Sequence, residues 1–465
     1  MLEDEKAFFK REFHPGPLPS ARRIGLELEF PVTMRCGRAV RREIINALLE
    51  SLCELGFRPL RDEVTAAVVG AEGDFAGNDH LRAPPRDRVD MEVGYCTIEV
   101  ALAPETTLHS ASRRLEAATT LLAQTLASDD ALLLGYGIQP VQPPHRDLLA
   151  PKGIFGLYER CSGNAVVSPR DGVDIHLFAI TAAAHYHFDI SREEAATALN
   201  VLNGLAGLLI ALCANSPIWL GKADESSLAV RETFYDVGMT NWLGRFGNPD
   251  RFSNLDHYIE RLAEFPPIAV RRDGEYLRVR NCQSLQEYYS GSVSIVAEHR
   301  DGSLVQVSPS VEDMALFARM WWHNARLSPL NGTIEARSVC QQPPGEAVAP
   351  AALIMGILED LEGAVRILDE YPWSVWQRLR VDAVKHGLDA RILGSPIHHH
   401  IERLLLVAEA GLRRRNNREE HLLSPLQDRL ARRQCPANRV LALFRAHGLD
   451  GLLDGVAYRG ESPAE

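Results

Sequence analysis

Acidic residues recur at alternate positions in short stretches of this 465-residue sequence. In RIGLELEF, Glu27 and Glu29 alternate with apolar residues, and this alternation predicts a strand with both carboxylates on one face. Two carboxylates placed in this way could hold a divalent cation, because magnesium prefers several oxygen ligands. A half-exposed strand with solvated carboxylates would show the same pattern, so the motif alone leaves both interpretations open.

Two further stretches place carboxylates in the same arrangement. In DMEVGYCTIEV, Glu99 alternates with apolar residues, and Glu92 lies seven positions earlier. In NGTIEARSV, Glu335 and Arg337 share a strand face, where they could form a local ion pair or serve a site for metals and anions.

Two histidines share a face in a fourth stretch, AHYHFDI, at His185 and His187. Such a pair can bind zinc when a third ligand lies near, and a buried polar pair satisfied by its neighbours is an equal alternative. Four strands that each present such residues from one face favour a common site. Carboxylates crowded on one sheet face would repel one another, and divalent cations are their natural counter-charge.

Strands and long helices must position these residues. Apolar–polar alternation predicts strands at 24–30, 97–102, 183–190 and 332–339. Apolar residues at helical spacing predict helices at 106–128, 311–327, 351–368 and 401–414. A capping box at Ser191 predicts a further apolar helix that runs to Asn215. Residues 60–90 and 265–310 show neither pattern clearly, and we expect them to cover the site as a lid.

The composition is that of a soluble globular protein, with 46% apolar and 24% charged residues and a net charge of −12. The acidic balance argues against a nucleic-acid binder. Only five lysines accompany 45 arginines, so any anion-binding site should consist mainly of arginine. No P-loop, GxGxxG or GxSxG motif occurs, and a nucleotide must therefore be bound by other means.

The cysteines and the apolar segments predict a cytoplasmic location. Eight cysteines are scattered without a CxxC pair, which indicates isolated thiols rather than a disulfide framework. The polar first residues lack the apolar core of a signal peptide. The apolar run 204–214 is shorter than a membrane span and predicts a buried helix, so no membrane partner is expected.

Seven motifs follow one another along the chain: IGLELEF, TIEVALAP, LAPKGIFGLY, AHYHFDI, ANSPI, LAVRETF and NGTIEARSV. Their order resembles the glutamate–cysteine ligase family of carboxylate–amine ligases, closest to its plant-like and proteobacterial branch, from about residue 23 to about 449. The resemblance implies an α+β, glutamine-synthetase-like fold: a curved, mainly antiparallel sheet that cups the active site, with helices behind. It implies one catalytic domain over 1–465, with a helical C-terminal portion from about residue 395.

The resemblance also assigns roles to individual residues. Arg337 matches an arginine that reaches nucleotide phosphates, Arg231 matches one near the acidic substrate and the transferred phosphate, and Lys152 orients that side. His185 is preferred to His187 as a metal ligand. The implied cofactors are ATP and Mg²⁺, or alternatively Mn²⁺. The full set of implied metal ligands is Glu27, Glu29, Glu92, Glu99, His185 and Glu335.

The resemblance implies an ATP-dependent ligase that joins a carboxylate to an amine through an acyl phosphate. Glutamate plus cysteine, or a related pair of amino acid and amine, are the expected small-molecule substrates. Ile154 stands where the branch has an arginine thought to bind the acid, so the preferred pair could differ from glutamate and cysteine. A phosphotransferase on the same sheet and a non-catalytic scaffold protein are the alternatives.

Overall fold

The computed structural model describes residues 21–75, 86–161, 166–168, 172–237, 244–328 and 331–460, together with Ala7. Its strands are β1 (Ile24–Met34), β2 (Arg58–Arg61), β3 (Val68–Gly73), β4 (Asp87–Met91), β5 (Thr97–Ala101), β6 (Ala131–Leu133), β7 (Val166–Ser168), β8 (Gly172–Val173), β9 (Ala183–Asp189), β10 (Ile218–Trp219), β11 (Lys222–Ala223), β12 (Phe246–Gly247), β13 (Ala269–Arg272), β14 (Glu275–Val279), β15 (Ile295–Glu298), β16 (Leu304–Val307), β17 (Trp322–His323), β18 (Ala325–Ser328), β19 (Thr333–Cys340), β20 (Arg391–Ile392) and β21 (Ser395–Pro396).

The α-helices of the same residues are α1 (Arg42–Glu54), α2 (Leu108–Ala127), α3 (Gly153–Cys161), α4 (Asp174–Phe178), α5 (Arg192–Gly204), α6 (Ala206–Cys213), α7 (Val230–Val237), α8 (Leu255–Ala263), α9 (Leu285–Ser290), α10 (Asp313–Phe317), α11 (Val348–Glu359), α12 (Leu361–Leu368), α13 (Trp373–His386), α14 (His398–Arg415), α15 (Ser424–Arg432) and α16 (Pro436–Val456).

One nine-stranded sheet organises the molecule. Its strand order is β18–β19–β9–β1–β5–β4–β3–β2, all neighbours are antiparallel, and β6 pairs with the far end of β1. The four predicted strands are all present and lie side by side at its centre as β19, β9, β1 and β5. The predicted α+β architecture with a mainly antiparallel sheet is confirmed.

The apolar face of β1 packs on a layer of helices. Leu26, Leu28 and Phe30 alternate with the glutamates and are at most 2% exposed. Helices α2, α5, α6 and α11 contribute to the same core, and α5 and α6 contact β19 directly. The hydroxyl of Tyr186, on β9, donates a hydrogen bond of 2.7 Å to the carbonyl of Ala347, just before α11. The helices thus hold the central strands from behind and leave the acidic face toward the site.

Three of the predicted elements differ from the structure. The helix predicted over 311–327 is wrong beyond α10, because β17 pairs with β12 and β18 pairs with β19. These distant partners override the local apolar spacing. The helix that begins after the capping box at Ser191 breaks at Leu205 into α5 and α6, which meet at 49°. The helix predicted over 351–368 is likewise divided, at Asp360.

The two segments expected to form a lid are built into sheets. Strands β2, β3 and β4 form an edge of the main sheet, and residues 76–85 lie outside the described part of the chain. Residues 265–310 form a separate antiparallel sheet of β13–β16 together with α9. Both segments are therefore regular strands rather than irregular loops. The smaller sheet contributes Tyr276 to the wall of a cavity of about 330 Å³.

The structure describes the cysteines and the apolar helices on which the predictions about thiols and membranes were based. All eight cysteines lie in the described ranges and are free. The apolar helix α6 is buried along its length. Across the described residues, no single helix has the length and apolar character needed to cross a membrane, and the bent pair α5–α6 meets both criteria only when its parts are taken together.

Helices α11 and α14 cross closely at two glycines, which generates a prediction about stability. A Cβ atom on Gly356 would overlap the carbonyl oxygen of Ala408, and one on Gly411 would overlap that of Gly356. Gly356→Ala should therefore lower the free energy of unfolding by about 1–3 kcal/mol, the usual cost of overpacking. Urea denaturation measures the change.

Gly156→Ala is the matched control, because Gly156 is exposed in α3 and a Cβ there would meet nothing within 4 Å. It should be neutral or should stabilise by up to about 1 kcal/mol through helix propensity. Equal stability of the two variants would contradict the described helix crossing.

Candidate active site

The register of the central strands brings the predicted residues together on one face. Glu27 lies opposite His185 across β1 and β9, and Glu335 lies opposite His187 across β19 and β9. Directly opposed residues of an antiparallel pair project from the same side of the sheet. Four residues from three strands that are distant in the sequence therefore line one surface.

The first group of side chains, the histidine cluster, consists of Glu27, His187 and Glu335, with ligand atoms within 4.8 Å of one another. Nε2 of His187 lies 2.8 Å from a Glu27 oxygen, and its Nδ1 lies 3.2 Å from the hydroxyl of Thr333. Burial opposes a charged imidazole, but the hydrogen bond to Glu27 and the nearby carboxylates raise the pKa of His187. Burial likewise opposes a charged Glu27, yet the contact with His187 lowers its pKa.

The second group, the carboxylate cluster, consists of Glu29, Glu92 and Glu99, again with oxygens within 4.8 Å of one another. Burial and the charge of Glu92 raise the pKa of Glu29 to about 8, although the amide of Ala183 donates to it at 2.6 Å. Burial and the charges of Glu27 and Glu92 raise the pKa of Glu99 well above its ordinary value. This cluster therefore has an excess of negative charge that a cation would relieve.

Glu335, by contrast, is balanced by two arginines. Its side chain is 1% exposed, Nε of Arg326 donates to one carboxylate oxygen at 2.6 Å, and Arg337 donates to the other. Burial favours the neutral acid, but Arg326 and Arg337 hold the pKa of Glu335 well below its ordinary range. The Glu335 carboxylate in turn raises the pKa of Arg337 against the effect of burial. Both guanidinium groups thus lie beside the histidine cluster and donate to its Glu335.

Arg231 is buried at the start of α7, with its side chain 1% exposed. One of its nitrogens lies 3.4 Å from Nε2 of His185 and 3.2 Å from the hydroxyl of Tyr235, and another donates to Glu232. The second oxygen of Glu232 accepts a hydrogen bond of 3.2 Å from Arg380. Arg380 of helix α13 thus holds Glu232, and Glu232 holds Arg231 beside His185.

His185 lies between the two clusters. Its Nδ1 is 3.7 Å from an oxygen of Glu29 and 3.9 Å from an oxygen of Glu335, and this buried nitrogen has no hydrogen-bond partner among the described residues. Burial and the charge of Arg337 lower the pKa of His185 well below its ordinary value, so the ring is neutral. Arg231 can only donate to Nε2, so in the neutral ring Nδ1 carries the proton, and this nitrogen could bind a cation only if the contact with Arg231 were given up.

Lys152 lies beside the carboxylate cluster. Its ammonium nitrogen is 3.9 Å from an oxygen of Asp90, which lies opposite Glu99 in register. Burial raises the pKa of Glu92, and the charge of Lys152 opposes that rise. Asp90 is therefore a fourth carboxylate at this end of the site, one that its position in the sequence did not single out.

A cavity of about 330 Å³ opens at the same end. Glu29, Glu92 and Arg337 contribute to its lining, and Ile154 lies in its wall. All sequence-predicted residues thus lie in one region, with His187 rather than His185 completing the histidine cluster.

Besides Asp90, three neighbours of the site were missed in the sequence: Arg326, Glu232 and Arg380. Arg326 lies in a segment that we expected to be helical, and only the pairing of β18 with β19 places it opposite Glu335. Glu232 directly follows Arg231, and an acidic residue beside a buried arginine is a usable signal. Arg380 is 148 residues from Glu232 and gives no local signal.

Comparison with known proteins places this geometry in context. The model of glutamate–cysteine ligase family 2 matches residues 23–459. A chloroplastic glutamate–cysteine ligase from Medicago truncatula is 23% identical over 372 residues, which are 77% of this chain and 69% of the relative.

Two solved structures share the fold. A glutamate–cysteine ligase from Francisella tularensis in complex with AMP has a TM-score of 0.56 at 14% identity, covering 94% of this chain and 88% of that one. A bifunctional glutathione synthetase from Pasteurella multocida has a TM-score of 0.51 at 12% identity, covering 97% of this chain and 51% of that one.

The two clusters differ in their balance of charge, and removing one carboxylate from each should therefore change the free energy of unfolding of the metal-free protein in opposite directions. Glu99→Gln should raise the free energy of unfolding in EDTA, because a like-charge contact at about 4 Å costs roughly 1–4 kcal/mol. The raised pKa of Glu99 means that folding takes up a proton, so the cost of this carboxyl grows with pH. The gain should vanish near pH 4, the ordinary pKa of a glutamate, and should grow as the pH rises above that value.

Glu335→Gln is the matched comparison and should destabilise by about 3–5 kcal/mol, because it leaves Arg326 and Arg337 buried without their carboxylate. Urea titrations of both variants in EDTA measure the two effects. Loss of stability in Glu99→Gln at every pH would contradict the proposed excess of negative charge.

Proposed function

Because this chain belongs to glutamate–cysteine ligase family 2, it is an ATP-dependent ligase, and we propose that it joins a carboxylate to an amine through an acyl phosphate. The observation that carries the proposal is the pair of clusters on one sheet face, bordered by Arg231, Arg326 and Arg337. Such a face suits a polyphosphate that binds together with divalent cations.

The donor atoms of both clusters fit Mg²⁺ or Mn²⁺. Carboxylate oxygens are the ligands that these ions prefer. The raised pKa values of Glu29 and Glu99 support a cation at the carboxylate cluster, because a positive ion would remove the repulsion that raises them. We assign one ion to each cluster, with His187 as the histidine beside Glu27.

In the first step, an oxygen of the acid substrate attacks the γ-phosphorus of ATP, the bond to the ADP oxygen breaks, and an acyl phosphate forms. Bound Mg²⁺ would neutralise charge on the phosphate oxygens. Arg337 and Arg231 offer planar guanidinium groups to the transferred phosphate and to the acid. Glu335 and Glu232 hold these arginines, so the positive charge is in place before the reaction begins.

In the second step, the amine nitrogen attacks the acyl carbon, the bond to the phosphate oxygen breaks, and inorganic phosphate leaves as the nitrogen loses a proton. Water must be kept from the acyl phosphate, because it would hydrolyse this intermediate. The burial of Arg231 and Glu335 and the apolar wall at Ile154 support a site with little water.

Glutamate plus cysteine, which would give γ-glutamylcysteine, is the first pair to test, since the family suggests it. Ile154 supplies no charge at the position where the resemblance implies an arginine, so we expect glutamate to bind less tightly than it would with that guanidinium group present. We also propose a cytoplasmic enzyme, because eight free thiols are typical of a reducing compartment.

The proposed reaction predicts ADP release that needs an acid, an amine and a divalent cation together. Purified protein with ATP and Mg²⁺ should release ADP when amino acids are offered in pairs, and mass spectrometry should find the amide product. Excess EDTA should abolish release, and added Mg²⁺ or Mn²⁺ should restore it. Full turnover in EDTA would contradict the metal assignment, and a stable phosphorylated product without an amine would identify a phosphotransferase.

The role of Arg337 predicts a defect in catalysis rather than in amine binding. Arg337→Lys keeps the charge but loses the planar fork, so kcat should fall about 100-fold with little change in the KM of the amine. The exposed Arg432 of α15 provides the control, and Arg432→Lys should behave as the wild type. Steady-state ADP release measures both variants. An unchanged kcat with a raised KM for the amine would contradict the proposed contact with phosphate.

A further inference from the structure

The turn between β2 and β3, residues 62–67, is held together by one carboxylate. Oδ1 of Asp62 accepts hydrogen bonds from the amides of Val64 at 3.0 Å and Thr65 at 2.8 Å. Burial opposes a charged carboxylate at this position, but the backbone amides that donate to it lower the pKa of Asp62. A carboxylate that accepts amides two and three positions further along the chain stiffens a turn. The β2–β3 turn can therefore act as a rigid support.

The same turn holds the chain on both sides of Lys152. Oδ1 of Asp62 accepts a third hydrogen bond, of 3.2 Å, from the amide of Gly153, the first residue of α3. The hydroxyl of Thr65 donates to the carbonyl of Pro151 at 2.6 Å. The backbone of Lys152 thus lies between two contacts with a distant part of the sequence.

The Asp62 carboxylate supplies a partner that α3 cannot provide for itself. The first amides of a helix have no acceptor within the helix, and an oxygen from another part of the chain can satisfy them. A negative charge beside the N-terminus of a helix is also favourable. The approach is close, because a Cβ atom on Gly153 would lie 2.6 Å from Cβ of Val64. The β2–β3 turn and the start of α3 therefore form one packed unit.

The other hydrogen bonds around Lys152 lie within its own segment or before it. Its amide donates to the carbonyl of Ala150 at 2.7 Å, and its carbonyl accepts from the amide of Phe155 at 3.1 Å. The amide of Ala150 donates to the carbonyl of Val93 at 2.9 Å, which attaches the chain to the loop between β4 and β5. Beyond that point, the β2–β3 turn provides the support.

The ammonium group of Lys152 depends on this backbone for its position. Among the described residues its nitrogen donates no hydrogen bond, and its ion pair with Asp90 is 3.9 Å long. The ring of Phe155 lies 5.8 Å from the same nitrogen and holds it only weakly. A long side chain without a hydrogen bond visits several rotamers, so the position of its backbone decides where its charge is found.

This charge matters to the proposed reaction because both reacting groups are anions. The acid substrate and the γ-phosphate of ATP must approach the carboxylate cluster, and a cation beside that cluster reduces the repulsion that they meet. A displacement of about 1 Å in a group that positions substrates can cost about 100-fold in rate. An element that places Lys152 can therefore set the rate without touching a substrate.

We propose that Asp62 is a positioning residue of this ligase and acts through Lys152. Together with Thr65 it holds the backbone that carries the lysine, and it thereby keeps the ammonium group beside the carboxylate cluster. The inference rests on the proposed function and adds to it a residue that belongs to neither metal cluster and does not line the neighbouring cavity.

The first experiment is a double-mutant cycle. ADP release is measured with ATP, Mg²⁺, glutamate and cysteine. Lys152→Met should lower kcat/KM for glutamate about 100-fold, and Asp62→Ala should lower it about tenfold. In the double variant, Asp62→Ala should cause no further loss, because the lysine through which it acts is absent. A tenfold loss from Asp62→Ala in both backgrounds would show that the two residues act independently and would overturn the inference.

Two further variants separate positioning from general damage to a turn. Asp62→Asn keeps the accepting oxygen and should remain within about threefold of the wild type. Asp301→Ala is the matched control, because the exposed Asp301 accepts the amide of Ser303 at 2.9 Å in the turn between β15 and β16. It should behave as the wild type, and an equal loss there would contradict the inference. If Asp62→Ala fails to fold, Thr65→Val removes the other contact and should show the same lack of additivity with Lys152→Met.

Lysine labelling separates failure of the inference from failure of the proposed function. The chain has only five lysines, so mass spectrometry can follow acetylation by acetic anhydride at each one. Lys152, whose side chain is 19% exposed, should react at least about threefold faster in Asp62→Ala, while the exposed Lys222 and Lys385 keep their rates. If the wild type releases no ADP with any pair of substrates, the proposed function fails and the labelling decides alone. An unchanged rate at Lys152 would overturn the inference in either case.

Discussion

Six carboxylates crowd one face of the main sheet, and the rest of the structure is arranged around that concentration of negative charge. The strands that carry them must stay rigid, because small shifts would change the distances on which the mutual repulsion depends. Rigidity comes from the opposite face, where Leu26, Leu28 and Phe30 are buried against the helices. The packing of the apolar face of the sheet therefore holds the strands together against the repulsion between the carboxylates on the other face.

The two clusters resolve the same electrostatic problem differently. The histidine cluster is balanced within the chain, since His187, Arg326 and Arg337 all contact its carboxylates. The carboxylate cluster has no comparable set of contacts, and the raised pKa values of Glu29 and Glu99 express this deficit. The charges of the histidine cluster are thus balanced within the chain, and the carboxylate cluster keeps an excess of negative charge.

Local alternation was sufficient to predict the four central strands, and with them the carboxylates and histidines that share a face. It was insufficient for Arg326, because the apolar spacing around it suggested a helix and only the pairing of β18 with β19 decides the matter. That His187, and not His185, completes the group with Glu27 and Glu335 depends on side-chain distances that alternation cannot distinguish. The cavity of about 330 Å³ beside the site depends on contacts such as that of Phe246 with Trp322, whose segments show no pattern linking them.

The contact between Glu232 and Arg380 spans 148 residues and has a consequence for the order in which a growing chain becomes active. The four central strands and α7 are synthesised before α13, so a nascent chain can assemble both clusters while Glu232 still lacks this partner. The surroundings of Arg231 are therefore completed only when α13 docks, later in synthesis than the strands that carry both clusters.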